Sequence, residues 1–321
     1  MTNTRRAVFL DHTSLDLGDL DLSPLRDCLG DLQLYADTTS ENLIERLQGA
    51  SVVISNKILL NAETLAACPQ LKLILVAATG TNNVDLEAAR ARGIVVANCQ
   101  GYGTPSVAQH TLTLLLALAT RLLDYQNAVS AGQWQTAKQF CLLDFPIVEL
   151  EGKTLGLFGH GELGSAVAKL AEAFGMRVLV GQIPGRPARA DRLPLDELLP
   201  QVDALTFHCP LNEHTRNFIG ARELAMLKPG AFVVNTARGG IIDEQALVDA
   251  LRSGHLGGAA TDVLSVEPPR NGNPLLAEDI PRLIITPHSA WGSREARQRI
   301  VGQLTENAQA FFNGTALRVV S

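Results

Sequence analysis

Several large classes of protein are excluded by what this chain lacks. Its five cysteines (Cys28, Cys68, Cys99, Cys141 and Cys209) are odd in number, widely spaced and without a CxxC pair. They indicate neither a disulfide framework nor a thiolate metal site, so reduced thiols in a cytoplasmic protein and no metal are the expectation. There is no basic excess: 27 Lys and Arg against 33 Asp and Glu leave a net charge of −6, which offers no electrostatic footprint to nucleic acid or an anionic membrane. Long apolar runs are missing as well. Outside candidate strands the longest lies around 112–119, too short to span a bilayer and bracketed by His110 and Arg121. The opening MTNTRRAVFLDHTSLDL has neither the apolar stretch nor the small-residue cleavage site of a secretory leader. Neither an internal repeat nor a low-complexity tract is found. A soluble, intracellular protein with no nucleic-acid or membrane partner is expected.

What is present is a large core. A composition of 46% hydrophobic and 19% charged residues excludes disorder as the main state. The 321 residues suggest two domains, at a prior of about 150 residues each. In the first hundred positions, short β-branched runs at 7–10, 32–35, 51–55, 71–76 and 94–97 alternate with helix-like stretches at 41–47 and 61–67. Apolar strands separated by helices imply a parallel sheet covered on both faces. A long apolar helix is expected over 106–123, followed by an extension at 124–147 that carries Trp134, Phe140 and Phe145 and reads as an arm covering a partner subunit. Six more strands (154–158, 177–180, 204–207, 231–235, 258–261 and 283–286) make a second, dinucleotide-type sheet. The last segment, 293–313, is an amphipathic helix with Ile300, Leu304, Ala308 and Phe311 on one face and Gly314 past its end. The fold class is α/β.

The stretch TLGLFGHGELGSAV holds Gly159, Gly161 and Gly164 in G-x-G-x-x-G spacing, directly after an apolar strand and opening a helix at Leu163. That context makes the motif a dinucleotide cradle. Gly159 permits the tight turn, Gly161 lets N–H groups reach the pyrophosphate, and Gly164 lets helix pack on strand. An NAD-binding strand usually ends in an acid about 20 residues on. Here that strand ends in Gln182, and Arg186, Arg189 and Arg192 follow it. Arginines attract a 2′-phosphate that an acid would repel, so NADP is slightly favoured over NAD.

Three residues stand at the ends of late strands: Arg238 in NTARGGIIDE, Glu267 in TDVLSVEPP and His288 in TPHSAW. Open α/β sheets bind ligands at these carboxyl ends. A guanidinium beside two glycines can fork onto a carboxylate. The histidine can exchange a proton near neutral pH, and a nearby glutamate favours its imidazolium.

These motifs, with ATGTNNVDLEAA, GYGTPSVAQHTLTLLLAL and HCPLNEHTRNFI, give the chain a resemblance to the D-2-hydroxyacid dehydrogenase family over essentially its full length. Within it the chain is most similar to glycerate dehydrogenases, also called hydroxypyruvate or glyoxylate reductases. The resemblance implies two doubly wound parallel-sheet domains. A Rossmann-type cofactor domain (101–289, with a dimerisation arm at 124–147) would be inserted into a flavodoxin-like substrate domain (1–100 and 290–321), with a cleft between them that closes on a hinge. It implies NAD(P)H-dependent reduction of a small 2-oxo acid, hydroxypyruvate or glyoxylate, to the D-2-hydroxy acid, in a homodimer. Arg238 would bind and polarise the substrate, His288 would donate the proton, and Glu267 would orient His288. Asp262 would contact the nicotinamide amide, and Ala78, Thr79 and Gly80 would offer N–H groups to the substrate carboxylate. The loop residues His160, Glu162 and Leu163, together with Thr104, His208, Pro210, Thr215, Thr236 and Ala237, would line the cofactor.

The chain departs from the family pattern at Gln109, where many members have glutamate, and at Ala290, where many have glycine. Trp291 falls where relatives border the substrate. The family's formate dehydrogenases, which need no proton transfer, carry glutamine where Glu267 stands. Phosphoglycerate dehydrogenase is a weaker reading, because the chain stops at Ser321 without room for the regulatory domains many such enzymes carry. A cofactor-sensing, corepressor-like protein is the alternative of a different kind, to be separated from an enzyme by turnover.

Overall fold

The computed structural model describes residues 5–321; the first four positions, part of the opening stretch read for a leader, lie outside the described residues. The chain forms two compact units. One comprises the segments up to Gly103 and Gly292–Ser321, and the other is Thr104–Trp291. In sequence, the second is therefore an insertion within the first.

The first unit is built on β1 (Arg6–Phe9), β2 (Asp31–Leu34), β3 (Val52–Ser55), β4 (Leu73–Val76) and β5 (Val95–Ala97). All pair in parallel, in the order β2-β1-β3-β4-β5, the flavodoxin-like arrangement. The runs VVIS and LILV are buried along their whole length, which is why they read as continuous apolar segments rather than alternating ones. Four short helices join the strands: α1 (Ser23–Leu29), α2 (Ser40–Leu47), α3 (Ala62–Ala66) and α4 (Leu86–Ala91). Asn61 and Asp85 cap α3 and α4 by accepting the N–H groups of Thr64 and Ala88. The helix Arg294–Phe312, capped by the Ser293 hydroxyl, buries Ile300, Leu304 and Ala308 against this unit. Phe311 is only half-buried. Gly314, with φ +71°, follows the helix where a stop was expected.

The second unit contains α5 (Thr104–Ala119), α6 (Leu122–Ser130), β6 (Thr154–Phe158), α7 (Glu162–Ala173), β7 (Arg177–Gly181), α8 (Leu195–Leu198), β8 (Ala204–Phe207), α9 (Ala221–Met226), β9 (Phe232–Asn235), α10 (Glu244–Arg252), β10 (Gly258–Thr261) and β11 (Leu283–Ile285). Its strands are parallel, in the order β11-β10-β9-β8-β6-β7. The order reverses between β6 and β8, and it is there that a doubly wound sheet opens a crevice. Thus the six strands expected in this half all form.

The single helix expected over 106–123 is a misreading. It begins earlier, at Thr104, because Pro105 fits a first helical turn. It ends at Ala119, and α6 sets off at 60° to it. The apolar pattern runs through Leu122 and Leu123, so periodicity does not betray the break. The cause is local. The Thr120 hydroxyl bonds back to Leu116 O at 2.7 Å, and Arg121 takes φ +54° with its Nε on Asp124 Oδ2 at 2.5 Å. The extension at 124–147 is helical as far as Ser130 and then lacks regular structure. It is fastened by Tyr125, whose hydroxyl donates to Phe145 O at 2.7 Å, and by Trp134, whose Nε1 donates to Phe140 O at 2.9 Å. Phe140 remains 89% exposed and Trp134 53%.

Candidate active site

At the reversal of strand order, β6 runs into Gly159 (φ +98°), where a Cβ would strike the His208 carbonyl after β8. A Cβ on Gly164 would run into the Gly159 carbonyl. Both glycines are thus required by chain-to-chain approach. Gly161 differs: a Cβ there would meet nothing within 4 Å. It is the N-cap of α7, where first-turn N–H groups, including those of Glu162 and Leu163, have no partner within the helix and face space that an anion suits.

A cavity of about 290 Å³ opens here, walled by His160, Gln182, Arg186, His208 and Pro210. His208 Nε2 lies 3.2 Å from Thr206 Oγ1, while its Nδ1 is buried with no hydrogen-bond partner among the described residues. Burial pushes the imidazole down to about 3, so it is neutral at physiological pH. An open anion cradle beside an orphaned polar atom fits a dinucleotide. Of the other expected lining residues, Glu162 Oε1 accepts from the Thr104 hydroxyl at 2.8 Å. Thr215 is fully buried and bonds Pro210 O at 2.8 Å, shaping the turn that presents Pro210. Thr236 and Ala237 are each 7% exposed, and the Thr236 hydroxyl meets that of Thr111 at 2.8 Å.

Gln182 acts on the backbone around it. Its Nε2 donates to the carbonyls of Ile183, Arg186 and Pro187, curling the arginine-bearing loop over the cavity. Arg189 is held by Asp191 through two bonds at 3.0 and 3.1 Å, and Arg192 lies 3.4 Å from the same carboxylate. Arg186 has no carboxylate partner among the described residues.

Arg238, Glu267 and His288 follow β9, β10 and β11, neighbours at one edge of the sheet. Asn235 shapes the first turn, its Nδ2 donating to Arg238 O at 2.9 Å and its Oδ1 accepting from Ala237 N at 3.0 Å. At Gly239 a Cβ would collide with the backbone of Leu264; glycine there lets the segment leading to Glu267 lie directly on the arginine turn. Glu244, on α10, clamps that segment by accepting Ser265 N, Ser265 Oγ and Asn273 Nδ2, each at 2.7 Å.

Glu267 then accepts Leu264 N on Oε1 at 2.8 Å and meets His288 Nδ1 on Oε2 at 2.6 Å. Burial pushes the Glu267 carboxyl up, but the His288 hydrogen bond, the Leu264 N–H and the charges of His288 and Arg238 outweigh it and hold it below its ordinary value. An ionised carboxylate can only accept, which assigns a proton to His288 Nδ1 and leaves Nε2 for exchange with a ligand. The two side chains are 38% and 32% exposed, so the pair is open to small molecules. Arg238 is exposed, with Nη1 resting on Ala237 O at 2.7 Å.

Asp262, by contrast, is 1% exposed. Its carboxylate accepts the Thr286 hydroxyl at 2.5 Å and the N–H groups of Ser289 and Ala290 at 2.9 Å each. These bonds grip the turn on which His288 adopts φ +53°, a conformation sparsely used by residues other than glycine. Asn235, Gly239 and Glu244 escaped the sequence reading, although the glycine pair after Arg238 was a visible signal for the close approach.

In the first unit, Ala78, Thr79 and Gly80 follow β4. Ala78 is buried, with its carbonyl accepting from Cys99 N at 3.0 Å. Thr79 and Gly80 are exposed, the Thr79 carbonyl accepting from Asn98 Nδ2 at 2.7 Å.

Residues 112–290 match the model of the D-isomer specific 2-hydroxyacid dehydrogenase, NAD binding domain. The chain is 44% identical over 318 residues to a glycerate dehydrogenase of Methylorubrum extorquens, covering 99% of each. It is 38% identical to a hydroxypyruvate reductase of Blautia hydrogenotrophica, over 98% of this chain and 99% of the relative. Its fold matches a crystal structure of a Thermus thermophilus protein with TM-score 0.86 and 36% identity, covering 98% of this chain and 100% of that one. A cradle for a dinucleotide, an arginine and a histidine–glutamate pair at neighbouring strand ends accord with these likenesses: the chain belongs to the D-isomer specific 2-hydroxyacid dehydrogenases, enzymes that bind a nicotinamide dinucleotide.

Proposed function

We propose that this enzyme reduces a small 2-oxo acid, hydroxypyruvate or glyoxylate, to the D-2-hydroxy acid, with His288 as proton donor. The observation that carries the reading is the 2.6 Å contact of His288 Nδ1 with an ionised Glu267 at a strand end two places from Arg238. When bound, the reduced nicotinamide supplies a hydride to the substrate's carbonyl carbon. Arg238 grips the substrate through its planar fork and polarises the carbonyl. His288 Nε2 delivers a proton to the carbonyl oxygen, and Glu267 keeps the ring oriented and favours the imidazolium that precedes delivery. Thr79 and Gly80, with Ala78, offer backbone N–H groups to a carboxylate at the carboxyl end of β4. Asp262 holds the His288 turn and, by the family resemblance, would contact the nicotinamide amide. A panel of 2-oxo acids assayed with both reduced cofactors tests the reading. Turnover is expected with hydroxypyruvate or glyoxylate, and tight cofactor binding without turnover of any 2-oxo acid would overturn it.

NADPH is the preferred reductant in this reading, supported by Gln182 in place of an acid and by Arg186 at the cavity wall, which has no carboxylate partner among the described residues. Replacing Arg186 by alanine is expected to lower kcat/KM for NADPH about tenfold, the scale of one charge-assisted hydrogen bond, with little change for NADH. Arg189, already tied to Asp191, contributes less. A wild-type preference for NADH, or equal losses with both cofactors, would refute the assignment.

The enzyme is read as a homodimer joined through 124–147. The solvent-facing Trp134, Phe140, Leu143 and Ile147 support this, since clustered exposed apolar groups mark interaction surfaces. Light scattering is expected to give twice the 34.4 kDa chain mass; a monomeric mass would exclude it. The cytoplasm is the proposed compartment, supported by five unpaired thiols.

A further inference from the structure

We propose that His110 is a positioning residue for the proton donor, acting through Thr286 and Asp262 on the turn that carries His288. The inference rests on the reading of His288 given above and adds a residue from a different element, α5. His110 Nε2 lies 2.9 Å from Thr286 Oγ1 and 3.6 Å from Asp262 Oδ1. The Thr286 hydroxyl, with a single proton, sits 2.5 Å from Asp262 Oδ1. Both Asp262 oxygens already accept N–H groups, from Ser289 and Ala290, so the hydroxyl donates to Asp262 and must accept from the imidazole. That order assigns the proton on His110 to Nε2 and fixes the direction of the whole chain: His110 to Thr286 to Asp262.

The far end of this chain is the His288 turn. Asp262, 1% exposed, accepts the N–H groups of Ser289 and Ala290, while His288 N donates to the Asp262 carbonyl at 2.8 Å and the Thr286 carbonyl at 3.0 Å. The turn is held in its left-handed conformation from beneath. Ser106, one helical turn before His110 and on the same face of α5, adds a second tie, its hydroxyl donating to Ala290 O at 2.6 Å. Removing the His110 donor leaves the half-buried Thr286 hydroxyl short of one partner beside the buried Asp262 carboxylate, where such deficits are costly. The imidazole of His288 would lose the registry that sets its 2.6 Å contact with Glu267, and small misplacements of reacting groups cost rate steeply.

The test compares His110→Leu, which removes the donor, with His110→Gln, whose side-chain amide can still donate, and with Thr286→Val, which removes the link at nearly constant shape. Two readouts are needed: kcat with cofactor Kd, and amide hydrogen exchange at Ser289 and Ala290 without added ligand. His110→Leu is expected to lower kcat about tenfold with cofactor Kd within about twofold, and to speed exchange at both amides about tenfold. His110→Gln should recover most of each loss. His110→Leu combined with Thr286→Val should be no worse than Thr286→Val alone, because the two act in series. If His110→Leu does not fold, the Gln and Val variants carry the test: near-normal behaviour of Gln with loss in Val is the expected result. The proposal fails if His110→Leu changes neither kcat nor exchange, if Gln and Leu are equally impaired, or if losses in the double variant add. A fully active His288→Ala would sink the proton-donor reading instead. An inactive His288→Ala beside an unimpaired His110→Leu sinks the positioning role alone.

Discussion

Replacing His288 by alanine is expected to lower kcat for 2-oxo acid reduction by about 10²–10⁴-fold, the usual contribution of a general acid. The argument is geometric. Glu267 is ionised because the His288 hydrogen bond, the Leu264 N–H and the Arg238 charge together overcome its burial. It binds the imidazole through Nδ1 and so directs Nε2 outward. Neither His208 nor His110 can substitute for it, since His208 is held neutral by burial and His110 is bonded to Thr286. The backbone at His288 has φ +53°, which alanine tolerates poorly, so His288→Asn is the companion variant because asparagine accepts that region readily. Equal, large losses of kcat in both variants, with cofactor Kd unchanged, are the expected outcome. A near-normal kcat in either would remove His288 from the proton-transfer role.

The second large effect concerns Arg238. Alanine there is expected to lower kcat/KM by about 10²–10³-fold, the scale for losing a charged donor to the developing oxyanion, while cofactor Kd stays within about twofold. Its charge also helps to hold the Glu267 carboxyl below the ordinary range. Removing a nearby positive charge makes the carboxylate harder to form, so the Glu267 pKa moves up and the acidic limb of the pH–rate profile shifts to higher pH. Lysine separates the two contributions. It keeps the charge and should restore the pH profile, but it lacks the planar fork and should leave most of the kcat/KM loss. Collapse of cofactor binding with surviving catalysis would place Arg238 in the wrong site.

The strands were legible because a parallel sheet covered on both faces demands unbroken apolar runs, and VVIS, LILV and TLGLF are such runs. The glycine turn was legible for a similar reason: two of its three glycines are forced by backbone contacts that no other residue permits. The break between α5 and α6 was not, since Leu122 and Leu123 continue the apolar pattern and the bend comes from Thr120 and Arg121 bonding their own neighbours.

Residue type and strand-end placement were enough to single out Arg238, Glu267 and His288, because guanidinium, carboxylate and imidazole have few shared uses beside a dinucleotide turn. Their supporting cast was hidden. Nothing in the spacing of Glu244 and His110 links them to those three. Strand order β9-β10-β11 sets the three loops side by side, and α5 brings His110 against the last of them. Local chemistry is written along the chain, whereas the precision of a site depends on hydrogen bonds between segments more than a hundred residues apart, and those exist only once the sheet has chosen its order.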